Sequence, residues 1–179
     1  MSVHLCRRVL SDEVGRIVLV IRRATVADLD AITRIYNDAI LNTVATFDTE
    51  PKTLEQQMVW FSEHDSGHAL LVAEEDGVVV GWGSISEWSD RCAYSCTGEV
   101  SLYVEKEHQG RGVGRKLLEA IVEEGKKGDF HTLLARISEG NQASVNLFKS
   151  EGFETVGVMK EVGRKFGRLL DVYLLQKIY

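Results

Sequence analysis

Apolar and polar positions follow two different periods along this chain, and the points where the period changes divide it into elements. Ile17, Val18, Leu19, Val20 and Ile21 form a β-branched apolar run and predict a strand. Leu29, Ile32, Ile35, Tyr36, Ala39 and Ile40 then recur at helical spacing, behind a start signal made by Thr25 and Asp28. Thr53 and Gln56 make a capping-box pair for a second helix that reaches about residue 63. Strands over 69–73 and 78–86 flank Asp76 and Gly77, a hairpin dipeptide. A polar connection over 87–96 leads to a strand over 99–104 and an amphipathic helix over 113–126. A strand over 132–137, a short helix over 141–150 and two strands over 153–160 and 169–176 close the chain. The order β-α-α-β-β-β-α-β-α-β-β predicts an α/β layered domain, with helices on both faces of a mixed sheet.

Composition narrows the picture. The chain has 179 residues, 44% of them hydrophobic and 27% charged, which fits one folded domain, placed at 17–179. Residues 1–16 carry basic side chains without the apolar core and cleavage site of a signal peptide. They are read as an N-terminal extension: an added strand, an arm, or an upstream start. The net charge of −6 gives no basic face for nucleic acid, and no apolar run is long enough for a membrane span. Cys6, Cys92 and Cys96 are an odd count without metal-type pairing and read as reduced thiols of a cytoplasmic protein. His64 and His68 have no third ligand near them in sequence, so no metal is expected.

The most informative segment is Gln109, Gly110, Arg111, Gly112, Val113 and Gly114, between a strand and a helix start. Glycines let backbone N–H groups close around an anion, and the helix dipole adds positive potential there. Gly114 is followed by Arg115, Lys116 and Leu117, so the hydroxyl of a magnesium-binding P-loop is missing. A dinucleotide fingerprint would need glycine at Arg115 and a place near the start of a βαβ unit. A pyrophosphate-bearing cofactor of another kind is expected, with Arg111 and Arg115 adding charge. Further on, Asn141 reads as a helix N-cap, Gly152 as the C-terminal cap, and Leu147 and Phe148 as core.

The loop, its flanking strand and helix, and the Asn141 segment together resemble the GNAT N-acetyltransferases. Within that family Thr46-Phe47, Glu50-Pro51, Thr97-Gly98-Glu99, Tyr103-Val104, His108-Gln109 and the tail from Val162 to Val172 resemble the phosphinothricin and methionine sulfoximine acetyltransferases. The resemblance implies a GNAT-like, mostly antiparallel sheet and acetyl-CoA as cosubstrate. It implies a pyrophosphate seat at 109–115, pantetheine along the backbone of Leu102, Tyr103 and Val104, and Asn141 and Ser144 beside the pantetheine arm. It further implies a small free amine as acceptor, attacking directly in a ternary complex, and a homodimer built on the C-terminal strands.

Glu99 is the leading general base, since it begins an apolar strand where it is partly withdrawn from water, although a solvated strand-edge carboxylate fits the same position. In the resembled family the matching glutamate acts on the amine. His108 abuts the loop and either relays a proton or positions the loop. Phe47 and Tyr94 are candidates for the acceptor pocket. Arg91, Lys165 and Arg168 are candidates for a cation that binds an acceptor anion. Phe148 stands where the family often has a proton-donating side chain, which leaves the general acid unassigned. Two other readings stay open: a GNAT enzyme for a polyamine, an antibiotic or a protein N-terminus, and a non-catalytic acetyl-CoA sensor.

Overall fold

The computed structural model describes residues 18–64 and 67–179. The expected extension over 1–16, and Ile17 at the start of the first strand, lie outside them. The elements follow the expected order: β1 (Leu19–Arg23), α1 (Leu29–Asn42), α2 (Leu54–Ser62), β2 (Leu70–Glu75), β3 (Val78–Glu87), β4 (Thr97–Val104), α3 (Val113–Lys127), β5 (Thr132–Ser138), α4 (Gln142–Ser150), β6 (Glu154–Lys165) and β7 (Arg168–Ile178). Local chemistry sets several boundaries. The Thr25 N–H donates to Asp28 Oδ2 at 2.7 Å, and a single 3₁₀ turn over Val26–Asp28 leads into α1. The Arg22 guanidinium bonds both Asp28 oxygens at 2.8 Å and holds that carboxyl at about 2. Thr53 and Gln56 exchange bonds of 3.2 and 2.9 Å at the start of α2. Asp76 and Gly77 both take left-handed φ, 49° and 84°, as a two-residue hairpin requires.

The sheet runs β1-β2-β3-β4-β5-β7-β6. Every pair is antiparallel except β4–β5, giving the mostly antiparallel mixed sheet that was expected. Strand alternation sorts the core. Leu70 and Val72 join Ile32, Ile35 and Trp82 beneath α1, whereas Leu71 and Ala73 join Leu117, Leu118 and Ile121 of α3.

The C-terminal hairpin is longer than its polarity suggested. β6 runs on to Lys165 and turns at Phe166 and Gly167, so the basic stretch is paired strand. β6 is an exposed sheet edge, and exposure removes the alternation that marks a half-buried strand. Its register slips between Met159 and Gly163, where Glu161 takes a φ of 52°. Asp171 fixes this bulge by accepting from the Glu161 N–H at 2.9 Å and from Lys160 Nζ at 2.6 Å.

One break in the sheet positions the site. β4 pairs with β5 only over Thr97, Gly98 and Glu99, opposite Thr132, Leu133 and Leu134. Beyond Glu99 the strands part: β4 stays with β3 as far as Val104, and β5 stays with β7. The β5-facing edge of β4 past Glu99 therefore has no strand beside it, although it lies in the middle of the sheet.

Candidate active site

At the far end of that free edge lies the glycine loop. Gly112 is the N-cap of α3 with φ 88°, and Gly110 has φ 73°. A Cβ built on either would meet nothing within 4 Å. The first N–H groups of α3 have no acceptor within the helix, and the helix dipole points into the concavity. Gln109 ties the loop to the strand by donating from Nε2 to the Val104 carbonyl at 2.9 Å. A cavity of about 850 Å³ joins the loop to the free edge. Gly110, Gly112, Gly114 and Arg115 line one end of it, and Leu102, Tyr103, Val104, Asn141 and Ser144 line its length. These residues fit a phosphorylated ligand with an extended, amide-bearing arm: anion donors at one end and an unpaired strand edge along the side.

Three loop residues take other places. Val113 is 1% exposed and packs in the core, so only its backbone belongs to the loop. Arg111 Nη2 lies 3.3 Å from Glu75 Oε2. His108 sits beside the same carboxylate, with Nε2 3.5 Å from it and Nδ1 3.3 Å from Glu105. Neither Arg111 nor His108 lines the cavity.

A second cavity, of about 590 Å³, opens where β4 and β5 part, and it shares Leu102, Tyr103, Asn141 and Ser144 with the first. Glu99 lines it, on the same face of β4 as Ser101 and Tyr103. Both Glu99 oxygens are held by Arg136 of β5, from Nε and Nη2, at 2.6 Å each. Arg136 also lies over the Trp88 ring, 5.5 Å from its centroid.

The wall opposite is the segment between α1 and α2. Ser138 bonds the Val44 carbonyl, Lys165 Nζ donates to the Thr46 carbonyl at 2.8 Å, and Tyr36 Oη donates to Asp48 at 2.8 Å. Burial alone would raise the Asp48 carboxyl, but the bonds from Lys52 and Tyr36 outweigh it and the carboxyl lies below its ordinary value. Burial pushes the Tyr36 phenol up to about 12. Phe47 stands in this wall and lines the cavity, packed so tightly on Gly163 that a Cβ there would overlap its ring.

Of the six residues expected around an acceptor, Phe47 and Glu99 are thus brought together, and Arg91 does not line the cavity. Lys165 is 4% exposed and spent on Thr46, and burial lowers the pKa of its ammonium. Arg168 is largely exposed, 3.9 Å from Glu139. Tyr94 is exposed in the 3₁₀ turn over Cys92–Tyr94. None of these three lines the cavity. Phe148 does line it, and its buried ring packs edge-on against Phe153 at 5.0 Å. The sequence reading missed Arg136, Met159 and Val162, the last two turned into the cavity beside the β6 bulge.

Gly163→Ala is expected to move the Phe47 ring. The acceptor KM should rise by about tenfold, the size of a ~1–3 kcal/mol overpacking shift expressed at the wall. The acetyl-CoA dissociation constant, measured by calorimetry on the same sample, should stay within about twofold.

The profile of the acetyltransferase (GNAT) family matches residues 31–153. An L-amino acid N-acyltransferase of Escherichia coli (strain K12) is 40% identical over 157 residues, 87% of this chain and 91% of that protein. An L-methionine sulfoximine/L-methionine sulfone acetyltransferase of Salmonella typhimurium is 39% identical over 159 residues, 88% of this chain and 93% of that protein. The crystal structure of a phosphinothricin acetyltransferase from Sinorhizobium meliloti, in complex with acetyl-CoA, superimposes with a TM-score of 0.86 at 34% identity, covering 89% of this chain and 88% of that one. The chain belongs to the GNAT acetyltransferase family and is an N-acetyltransferase that uses acetyl-CoA.

Proposed function

We propose that this protein acetylates the α-amine of a small free amino acid of the methionine sulfoximine, methionine sulfone or phosphinothricin type. The observation that carries the reading is the meeting of two cavities at β4: the free strand edge opens from one, and Glu99 faces the other. Acetyl-CoA supplies the activated thioester when bound. The backbone of Leu102, Tyr103 and Val104 orients its arm by adding to the strand edge. The α3 start, Gly110, Gly112 and Arg115 hold its phosphates, with Arg111 alongside the loop. Glu99 takes the proton from the acceptor ammonium, so that the amine attacks directly within the ternary complex. Phe148 has no proton to give, so the departing sulfur is protonated by solvent. His108, bridging Glu75 and Glu105, braces the loop.

Residues 17–179 act as one catalytic domain, and the protein works in the cytoplasm, where the exposed thiols of Cys92 and Cys96 stay reduced. It forms a homodimer through the β6–β7 hairpin, where Val156, Val162, Phe166 and Leu169 are at least 45% exposed along a sheet edge. Among the described residues no helix is long and apolar enough to cross a membrane.

An acceptor screen with acetyl-CoA, read as thiol release, tests the assignment. Methionine sulfone, methionine sulfoximine and phosphinothricin should be turned over in preference to spermidine and to a peptide N-terminus. Preference for either of the latter overturns the acceptor class, and tight acetyl-CoA binding without release to any amine makes the protein a sensor. Light scattering at micromolar concentration should give the mass of a dimer; a monomer mass removes the hairpin interface.

A further inference from the structure

Among the described residues, Arg136 is the one cation lining the acceptor cavity, and it is bonded to the proposed base itself. Glu99 and Arg136 stand on the two strands at the point where they part, two residues past the last β4–β5 pair on the β5 side. The Arg136 side chain is 52% exposed while that of Glu99 is 16% exposed. The arginine is therefore the partner more open to a solvent-borne acceptor. Its planar group uses Nε and Nη2 on the two carboxylate oxygens, the arrangement in which guanidinium recognises any carboxylate.

We propose that Arg136 is the carboxylate fork of the acceptor site, and that the Glu99–Arg136 pair opens to take an α-amino acid between its halves. This rests on the acceptor reading above. The acceptor carboxylate replaces Glu99 on the guanidinium, and the acceptor ammonium replaces the guanidinium on Glu99. Each charged group keeps a charged partner through the exchange, so the site opens without stranding an ion. An amine that lacks the neighbouring carboxylate gets no such exchange: it must draw Glu99 from Arg136 and leave a half-buried guanidinium unpaired. Selectivity for zwitterions over polyamines and peptide N-termini then follows from a penalty on the wrong acceptor. The same exchange couples recognition to chemistry. Both Glu99 oxygens are engaged while the pair is closed, and the acceptor's own carboxylate frees them to accept its proton.

The probes are L-methionine sulfone and its decarboxylated counterpart, 3-(methylsulfonyl)propan-1-amine, which differ only at the carboxylate. In the wild type, kcat/KM should favour the amino acid by about 10- to 100-fold, the range of a hydrogen-bonded charged partner. Arg136→Met should bring the ratio toward one, by raising KM for the amino acid and by raising kcat/KM for the plain amine, whose base is no longer masked. Arg136→Lys should recover part of the ratio. A ratio near one in the wild type, with both acceptors turned over, overturns the fork and leaves the acetyltransferase reading standing. A ratio retained by Arg136→Met, or an equal fall in kcat for both acceptors, overturns it too and reduces Arg136 to a support for Glu99. If wild-type protein that binds acetyl-CoA acetylates neither probe, the acceptor reading fails and the fork with it. Because the wild-type ratio and Arg136→Lys are read separately, a poorly folded methionine variant does not decide the matter.

Discussion

Gly112→Asp is expected to weaken acetyl-CoA binding by about 3 kcal/mol or more, roughly a hundredfold or greater loss of affinity. Two effects add. The residue caps α3 at φ 88°, where a side chain costs ~1–2 kcal/mol of backbone strain, lost from affinity to the extent that the empty loop relaxes out of the binding conformation. The new carboxylate would also stand on the concave side of the loop, where it repels a pyrophosphate by ~3 kcal/mol at a separation of about 5 Å in a half-solvated site. A Cβ at this position meets no protein atom within 4 Å, so the fold has room for the change. Thermal unfolding should confirm a folded variant, and calorimetry gives the affinity. Gly112→Ala separates the two effects, since it adds strain without charge and should lose only the smaller part. A folded aspartate variant that binds acetyl-CoA as well as the wild type would remove the pyrophosphate from this loop.

The loop was legible because its chemistry is local. A run of glycines between a strand and a helix needs only its own backbone to turn with left-handed φ, as Gly110 and Gly112 do. The same holds for the caps: Thr25 with Asp28, and Thr53 with Gln56, bond within four residues of each other. A strand covered on both faces was equally plain, because burial on both sides makes Leu70, Leu71, Val72 and Ala73 an unbroken apolar run. The second half of β6, from Glu161 to Lys165, escaped because an edge strand exposed on both faces has no apolar side to display. Its bulge depends on Asp171, ten residues beyond Glu161 and on the neighbouring strand.

The acceptor side was legible only in part, for a related reason. Glu99 could be placed on a face by alternation. Which cation meets it depends on how far β4 and β5 run together before they part, and no local pattern encodes that distance. Lys165 and Arg168 drew attention through the segment they occupy, yet Thr46 claims the first and Glu139 stands beside the second. A signal for Arg136 did exist. It is a lone charge within the apolar run Leu133, Leu134, Ala135, Arg136 and Ile137, on the side of β5 shared by Leu134 and Ser138. A charge placed in a buried strand needs a partner, and the parallel neighbour carries Glu99.

Glu99→Gln should lower the maximal rate by about 10²–10⁴-fold while leaving acetyl-CoA affinity nearly unchanged. Glutamine keeps the length and shape of the side chain but cannot take a proton from an ammonium. The cofactor seat proposed above, further along β4 and at the α3 start, lies in a cavity that Glu99 does not line. The pH profile carries the decisive information. Near neutral pH the acceptor amine is protonated and depends on the base. As pH rises the amine loses its proton unaided, so the gap between variant and wild type should narrow. The substitution also ends the ion pair, because an amide can offer Arg136 only one acceptor oxygen in place of two. Arg136 is then left available to the acceptor's carboxylate, so the loss should appear in kcat far more than in the amino-acid KM. A rate that falls equally at every pH would give Glu99 a structural role through Arg136. Wild-type turnover in the variant would transfer proton removal to solvent or another group, and a protein with no turnover to lose would be a sensor. A narrowing gap at high pH, with KM and cofactor affinity held, is the outcome that only a general base at this position produces.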